Sequence, residues 1–272
     1  MMPDPMVDEI VDNLRVGVIG LGEAGGAIAG DLAAAGVPVV GWDPVVDDPP
    51  EGVQPAASAA AAVAGATAVL SVNAAAVALE VVRELAPALS PGQLYADLNT
   101  AAPGLKVQLA AEVEPTGALF VDLALMSPVP GRGLRTPGLA SGPGATRFVA
   151  LFGRLGMPVE VVGARAGDAA ARKLLRSVFM KGIAAAAVES LAAARAEGCE
   201  EWLHHELADV FEGADAALLE RLLSGSARHA ARRRHEMDAA AEMLTELGVA
   251  PRVCVAAAGW LRQLDGEGAR AA

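Results

Sequence analysis

The sequence predicts an α/β fold: a parallel sheet covered by helices, followed by an all-α segment. Short β-branched runs alternate with Ala/Leu/Val stretches of helical spacing between Arg15 and Gly163, and such alternation builds a parallel sheet between helices. The stretch ARAGDAAARKLLRSVFMKGIAAAAVESLAAARAEG then shows no strand signal and no internal proline; as one helix it would run about 45 Å. Abundant alanine with only 3% aromatic residues suits closely packed helices rather than a β-sandwich.

The opening MMPDPMVDEIVDN, residues 1–13, is acidic and bears prolines. It lacks the basic region and apolar run of a signal peptide and is expected to be a disordered leader. RVGVIG, from Arg15, is a strand ending in glycine, and LGEAGGAIAGDLAAAG is a helix closed by Gly36. VPVVGWD is the second strand. Similar runs follow at AVLSV (68–72), LYADLN (94–99), LFVDLALM (119–126) and VEVVG (159–163), with helical segments such as AAVALEVVRELAPAL between most of them. Past the long helix, LADVFEGADAALLERLLSG and ARRRHEMDAAAEMLTELGVAP are the clearest helical pieces.

Gly20-Leu21-Gly22-Glu23-Ala24-Gly25 fits G-x-G-x-x-G directly after a strand and at the opening of a helix. The glycines give a tight turn, a close backbone approach to pyrophosphate and close helix-to-strand packing, while Glu23 and Ala24 stand where the helix N-terminus faces phosphate charge. Asp43 ends the second strand a little over ~20 residues on, where a carboxylate binds ribose hydroxyls. Val72 and Asn73, closing the strand at 68–72, join the expected cofactor set. The neighbours Trp42, Pro44, Asp47 and Asp48 include no Arg or Lys to receive a 2′-phosphate, so NAD is expected rather than NADP. The expected organisation is a Rossmann-type dinucleotide-binding domain at 14–163 and an all-α domain at 164–272.

A net charge of −12 argues against nucleic acid and anionic membranes as partners, and the Ala-rich stretches carry charges too often to span a bilayer. Cys199 and Cys254 form neither a metal spacing nor a disulfide framework, and His204 and His205, adjacent on a helix, point apart. No metal site is expected, and the cytoplasm is the expected compartment.

The chain holds three lysines, Lys106, Lys173 and Lys181, and carries its other positive side chains as arginine. A partly desolvated lysine can lose its proton near neutral pH, which an arginine cannot. Lys173, Ser177 and Lys181 form one helical ridge, and Met180, Ala184 and Leu191 lie close to the azimuth of Lys173, an apolar face. A lysine there either snorkels its ammonium outward or is held in a partly dry cleft with a lowered pKa. Lys181, about 12 Å further along the axis, is the second choice, a carboxylate or phosphate anchor. His229, Arg232, Arg233 and Glu236 recur on one helical face. That stripe is either solvated and ion-paired, or a basic wall, with His229 and Arg233, that neutralises an acidic substrate.

Together these segments resemble the β-hydroxyacid dehydrogenase family, which includes hydroxyisobutyrate and 6-phosphogluconate dehydrogenases. VGVIGLGEAGGAIAGDLAAAG is similar to the family's N-terminal fingerprint, DLNTAAP (97–103) to its D-x-S-T-x-x-P segment, FVDLALMSPVPG to its substrate loop, and GDAAARKLLRS to its G-x-x-x-x-x-K-x-x-x-N helix. The resemblance implies a Rossmann-type domain, an all-α substrate and dimerisation domain, a homodimer, Lys173 as the catalytic lysine, and Asn99 and Thr100 beside the cofactor. Two departures stand out. Where the family loop ends Ser-Gly-Gly, this chain has Met126-Ser127-Pro128, and Pro128 has no N–H; Met126 and Ser127 are the substrate-loop candidates. Ser177 replaces the asparagine four residues after the lysine.

The expected chemistry is hydride transfer between NAD and an acidic small molecule, a β-hydroxy acid or β-hydroxy amino acid, with Lys173 as general acid and base and Ser177 orienting substrate or lysine. Two other readings are an imine reductase, a group of similar design that commonly lacks the lysine, and an inactive NAD-binding regulatory protein.

Overall fold

The computed structural model describes residues 14–271, with side chains up to residue 267; the expected leader at 1–13 lies outside the described residues. By contact the chain divides into two compact units, one ending at Arg176 and one beginning at Ser177.

The first unit is an eight-stranded sheet: β1 (Val16–Ile19), β2 (Val39–Trp42), β3 (Val53–Pro55), β4 (Ala68–Ser71), β5 (Leu94–Asp97), β6 (Leu119–Leu125), β7 (Gly138–Ser141) and β8 (Val159–Gly163), in the order β3-β2-β1-β4-β5-β6-β7-β8. The first six run parallel. β7 pairs antiparallel with β6 and parallel with β8, so the last two strands are reversed. The expected parallel sheet thus holds for β1 to β6, among which the cofactor-site residues lie, and is corrected at β7 and β8. The helices α1 (Glu23–Ala34), α2 (Ala59–Val63), α3 (Ala78–Leu85), α4 (Pro103–Val113) and α5 (Ala145–Phe152) cover both faces. Period-2 alternation sends Val16, Val18, Leu70, Leu94 and Ala96 to a core shared with Ile28 and Leu32 of α1 and Phe148 and Phe152 of α5. Ile19, Val69, Tyr95 and Phe120 face the other way, into a core with Val82, Leu85, Leu109 and Val113. Burial on both faces explains why these strands read as continuous apolar runs.

α6 (Asp168–Glu197) is the single long helix foreseen from the sequence, and the unit division falls inside it. The second unit adds α7 (Glu200–Glu212), α8 (Ala216–Arg228), α9 (Ala230–Glu246) and α10 (Arg252–Ala271). LADVFEGADAALLERLLSG is two helices, because Asp215 accepts the Leu218 N–H at 2.7 Å and caps a new start after Gly213. RHAARRRHEM is also interrupted: His229 ends α8 and precedes α9 with φ −120° and ψ 28°. Glu189 accepts the N–H groups of Val253 at 2.7 Å and Cys254 at 3.0 Å, closing the N-terminus of α10. Burial raises the Glu189 pKa, but these backbone bonds prevail and hold it below its ordinary value.

Candidate functional site

The glycine turn joins β1 to α1. Gly20 has φ +99°, open to glycine, and a Cβ there would lie 2.2 Å from Val72 O. A Cβ on Gly25 would lie 1.9 Å from Gly20 O. The protein's own packing therefore requires both residues. Gly22 differs: a Cβ there would meet nothing within 4 Å, and as N-cap of α1 it offers no side chain to the first-turn N–H groups at Glu23 and Ala24. The space above an uncapped helix N-terminus is where an anionic group fits.

Asp43, just past β2, accepts the N–H of Leu21 at 2.7 Å through Oδ2, and those of Val45 at 2.8 Å and Val46 at 3.1 Å through Oδ1. Burial alone would raise its pKa; the three backbone donors outweigh it and hold the carboxylate below its ordinary 3.8. The residue predicted to meet ribose thus also ties the glycine turn to the β2–β3 connection.

Val72 and Asn73 follow β4 next to that turn. Asn73 donates to Ser71 Oγ at 3.0 Å and accepts from Asn99 Nδ2 at 2.9 Å. Asn99 Nδ2 donates to Asp97 Oδ1 as well, while Asn99 Oδ1 is buried without a hydrogen-bond partner. An unpaired buried acceptor is costly unless something donates to it. With the open place over Gly22, it makes these residues fit a dinucleotide, whose ribose and nicotinamide ends carry hydroxyl and amide donors.

Thr100 follows Asn99, and Lys173 Nζ donates to Thr100 Oγ1 at 2.7 Å. The structure thus brings together Gly20, Gly22, Gly25, Asp43, Val72, Asn73, Asn99, Thr100 and Lys173 in one unit. Met126 spends its backbone inside the protein: its N–H bonds Pro137 O at 2.7 Å, and its carbonyl accepts from Arg176 Nη1 at 3.1 Å. Ser127 follows it, half-buried. Ser177, Lys181, His229 and Arg233 belong to the second unit. There Arg233 Nη1 bonds Ser226 Oγ at 2.8 Å, Arg232 pairs with Glu236, and His229 is the joint between two helices rather than part of a helical face.

Beneath the site lies a cluster that the sequence reading gave no role. Lys106, on α4, is 1% exposed. Its Nζ is 2.7 Å from Asp97 Oδ2, 2.9 Å from Asp97 O and 3.1 Å from Asp122 Oδ1. Asp97 and Asp122 are register partners at adjacent positions of β5 and β6. Burial pushes the Asp97 pKa up, Lys106 opposes that, and the neighbouring Asp122 adds to it. Burial likewise pushes the Tyr95 phenol up against a bond to Ser71. A signal for Lys106 existed: it shares the face of Leu109 and Val113, the buried side of α4.

Residues 15–131 match the NAD binding domain of 6-phosphogluconate dehydrogenase, and residues 194–264 match a domain of unknown function, DUF1932. A curated relative, an uncharacterized 28.5 kDa protein in the 7S RNA 5′ region of Methanothermus fervidus, is 28% identical over 148 residues, 53% of this chain and 55% of that one. The chain thus spans about half the length of the curated relative it matches. A crystal structure of a conserved hypothetical protein from Sinorhizobium meliloti is 30% identical over 92% of this chain and 88% of that chain, with TM-score 0.62. A conserved protein of unknown function, described as structurally similar to 3-hydroxyacid dehydrogenases, is 30% identical over 94% and 99%, with TM-score 0.60. An imine reductase from Myxococcus stipitatus in complex with NADP+ is similar in fold, at 21% identity over 93% and 95% with TM-score 0.78.

Proposed function

The chain belongs to a divergent branch of the β-hydroxyacid dehydrogenase family, and on that premise we propose that it is an NAD-dependent oxidoreductase of a β-hydroxy acid or β-hydroxy amino acid, with Lys173 as general acid and base. The observation that carries the reading is the 2.7 Å hydrogen bond from Lys173 Nζ to Thr100 Oγ1, one residue beyond Asn99 and its unpaired buried oxygen. It ties the amine to the loop that closes the dinucleotide cradle.

When bound, the nicotinamide accepts or returns a hydride. The chain's own residues do the rest. In oxidation Lys173 takes the hydroxyl proton as the carbinol carbon gives up hydride and becomes a carbonyl; in reduction its ammonium returns that proton to the forming alkoxide. Thr100 holds the amine, and Ser177, one turn along α6, orients substrate or lysine. Ser127 offers a hydroxyl to a substrate oxygen.

Asp43, followed by the exposed Asp47 and Asp48 with no basic residue among them, favours NAD over NADP, because a 2′-phosphate would meet carboxylates. The preference is read from the ratio of the two dissociation constants. Against the expectation that its charges are too frequent for a bilayer, α6 is long and apolar enough by length and composition to cross a membrane, and only 17% of its most apolar 18 residues are buried. Val178 at 75% and Val188 at 70% exposure lie on it. A surface this apolar calls for cover, and a second copy of the chain, in a homodimer, is the proposed cover.

The test is turnover of a panel of β-hydroxy acids with NAD, parent against Lys173→Ala. General acid–base catalysis predicts a loss of about 10²–10⁴-fold in kcat with NAD affinity kept. Reduction of cyclic imines that is indifferent to Lys173 would support the imine reductase reading instead. Tight NAD binding without turnover of any panel member would support a regulatory protein.

A further inference from the structure

Lys106 lies outside the proton path just described, yet its two partners hold both ends of the Lys173–Thr100 contact. Asp97 Oδ1 receives Asn99 Nδ2, which fixes the residue next to Thr100. Asp122 Oδ2 receives the N–H groups of Gly167 at 3.1 Å and Ala170 at 2.9 Å, and the Ser141 hydroxyl at 3.2 Å; Ser141 Oγ in turn receives the Ala169 N–H at 3.0 Å. These are the first-turn donors of α6, which an isolated helix leaves unsatisfied. Asp122 is thus the N-terminal cap of the helix that carries Lys173, supplied from the sheet. The place of Lys173 follows from where that helix starts.

Asp97 and Asp122 sit side by side in neighbouring strands, both fully buried. Two carboxylates without water between them repel, and one would take up a proton or turn away. Lys106 Nζ lies between them, hydrogen-bonded to Asp97 Oδ2 at 2.7 Å and ion-paired at 3.1 Å with Asp122 Oδ1, an atom that has no hydrogen-bond partner of its own. An ammonium is compact enough to meet both carboxylates and a backbone carbonyl from a single point, whereas the planar guanidinium spreads its donors. This accounts for a lysine kept here in a chain whose positive side chains are mostly arginine.

We propose that Lys106 is a positioning residue, a buried cation that locks the Asn99–Thr100 loop and the start of α6 to one another and so sets the Lys173–Thr100 contact. Its importance for turnover rests on the proposed role of Lys173; its effect on the Lys173 amine does not.

The low lysine count gives a direct test. Trace acetylation of the full chain without cofactor or substrate, quantified by mass spectrometry, reports Lys173 against an added free-lysine peptide as reference. In Lys106→Met the ratio of Lys173 labelling to that reference is expected to rise about two- to tenfold, the factor one net hydrogen bond carries. Leu109→Ala, on the same buried face of α4, is the control for general loosening and is expected to leave the ratio near the parent's. An unchanged ratio in Lys106→Met, or an equal rise in Leu109→Ala, overturns the proposal. Should Lys106→Met alone fail to fold, the charge-balanced pair Lys106→Met with Asp97→Asn is read the same way. Labelling needs no turnover, so a failure here is distinct from a failure of the dehydrogenase reading, which shows only in the kinetics of Lys173→Ala.

Discussion

Replacing the glycines of the turn one at a time should separate binding from folding. In Gly22→Ala the new methyl meets nothing within 4 Å, and the residue's φ of −61° suits an L-amino acid. The fold loses only the N-cap preference of glycine over alanine, about 0.5–1 kcal/mol, or a few degrees of melting temperature at ~2–4 °C per kcal/mol. The methyl does occupy the space above the helix N-terminus, so a pyrophosphate is pushed off the backbone donors. Losing one charge-assisted hydrogen bond, about 1.5–3 kcal/mol, weakens NAD binding about ten- to hundredfold. In Gly25→Ala the methyl would lie 1.9 Å from Gly20 O, a backbone atom with little room to yield. Overpacking of that kind costs about 1–3 kcal/mol or more, and a melting loss of about 2–12 °C follows. Calorimetric titration with NAD and thermal melts of both variants make the comparison. If Gly22→Ala binds NAD as tightly as the parent, the open place over Gly22 is not the phosphate site.

Asp43→Asn probes the same cradle through pH. Its folded pKa lies below the unfolded value, so its contribution is whole above about pH 4 and is lost as pH falls through the folded value. The melting gap between parent and Asp43→Asn should therefore narrow on acidification below about pH 4; a gap that stays constant to about pH 2 would show that the carboxylate charge is not what matters. Glu189→Ala removes the cap of α10 and should cost about 1 kcal/mol, measured by denaturant unfolding, with no effect on NAD affinity. Light scattering should give twice the 27.4 kDa chain mass, and Val178→Glu with Val188→Glu should return the chain mass; a parent already monomeric at micromolar concentration would remove the dimer from the proposal.

Much of the nucleotide half was legible because its signals are local. Six strands are rich in β-branched or aliphatic residues; those inside the sheet are buried on both faces and stand out as apolar runs, and β8 reads as one although its edge position leaves it partly exposed. β3 and β7 escaped notice because Val-Gln-Pro and Gly-Leu-Ala-Ser carry almost no such signal; pairing with neighbours makes them strands. The reversed direction of β7 and β8 was illegible for a related reason: a strand's orientation is set by the path of its connections, not by its own residues. At the site, Asp43 was readable from spacing, but its three backbone bonds depend on a loop that folds back on it. Lys106 reads as an ordinary helix cation until Asp97 and Asp122 are placed side by side, since one lies in LYADLN and the other in LFVDLALM, far apart along the chain. The breaks at Gly213 and His229 were missed because helical periodicity runs almost undisturbed across them.

The stitching of Leu21, Val45 and Val46 onto one carboxylate has a thermodynamic corollary. A rim assembled in advance has little disorder left to surrender when its guest arrives, so dinucleotide association should be quick and close to rigid-body in character. Its heat-capacity change should reflect only the apolar surface that the guest itself covers. Exchange of spent for fresh cofactor could then proceed without rebuilding the loop on each cycle.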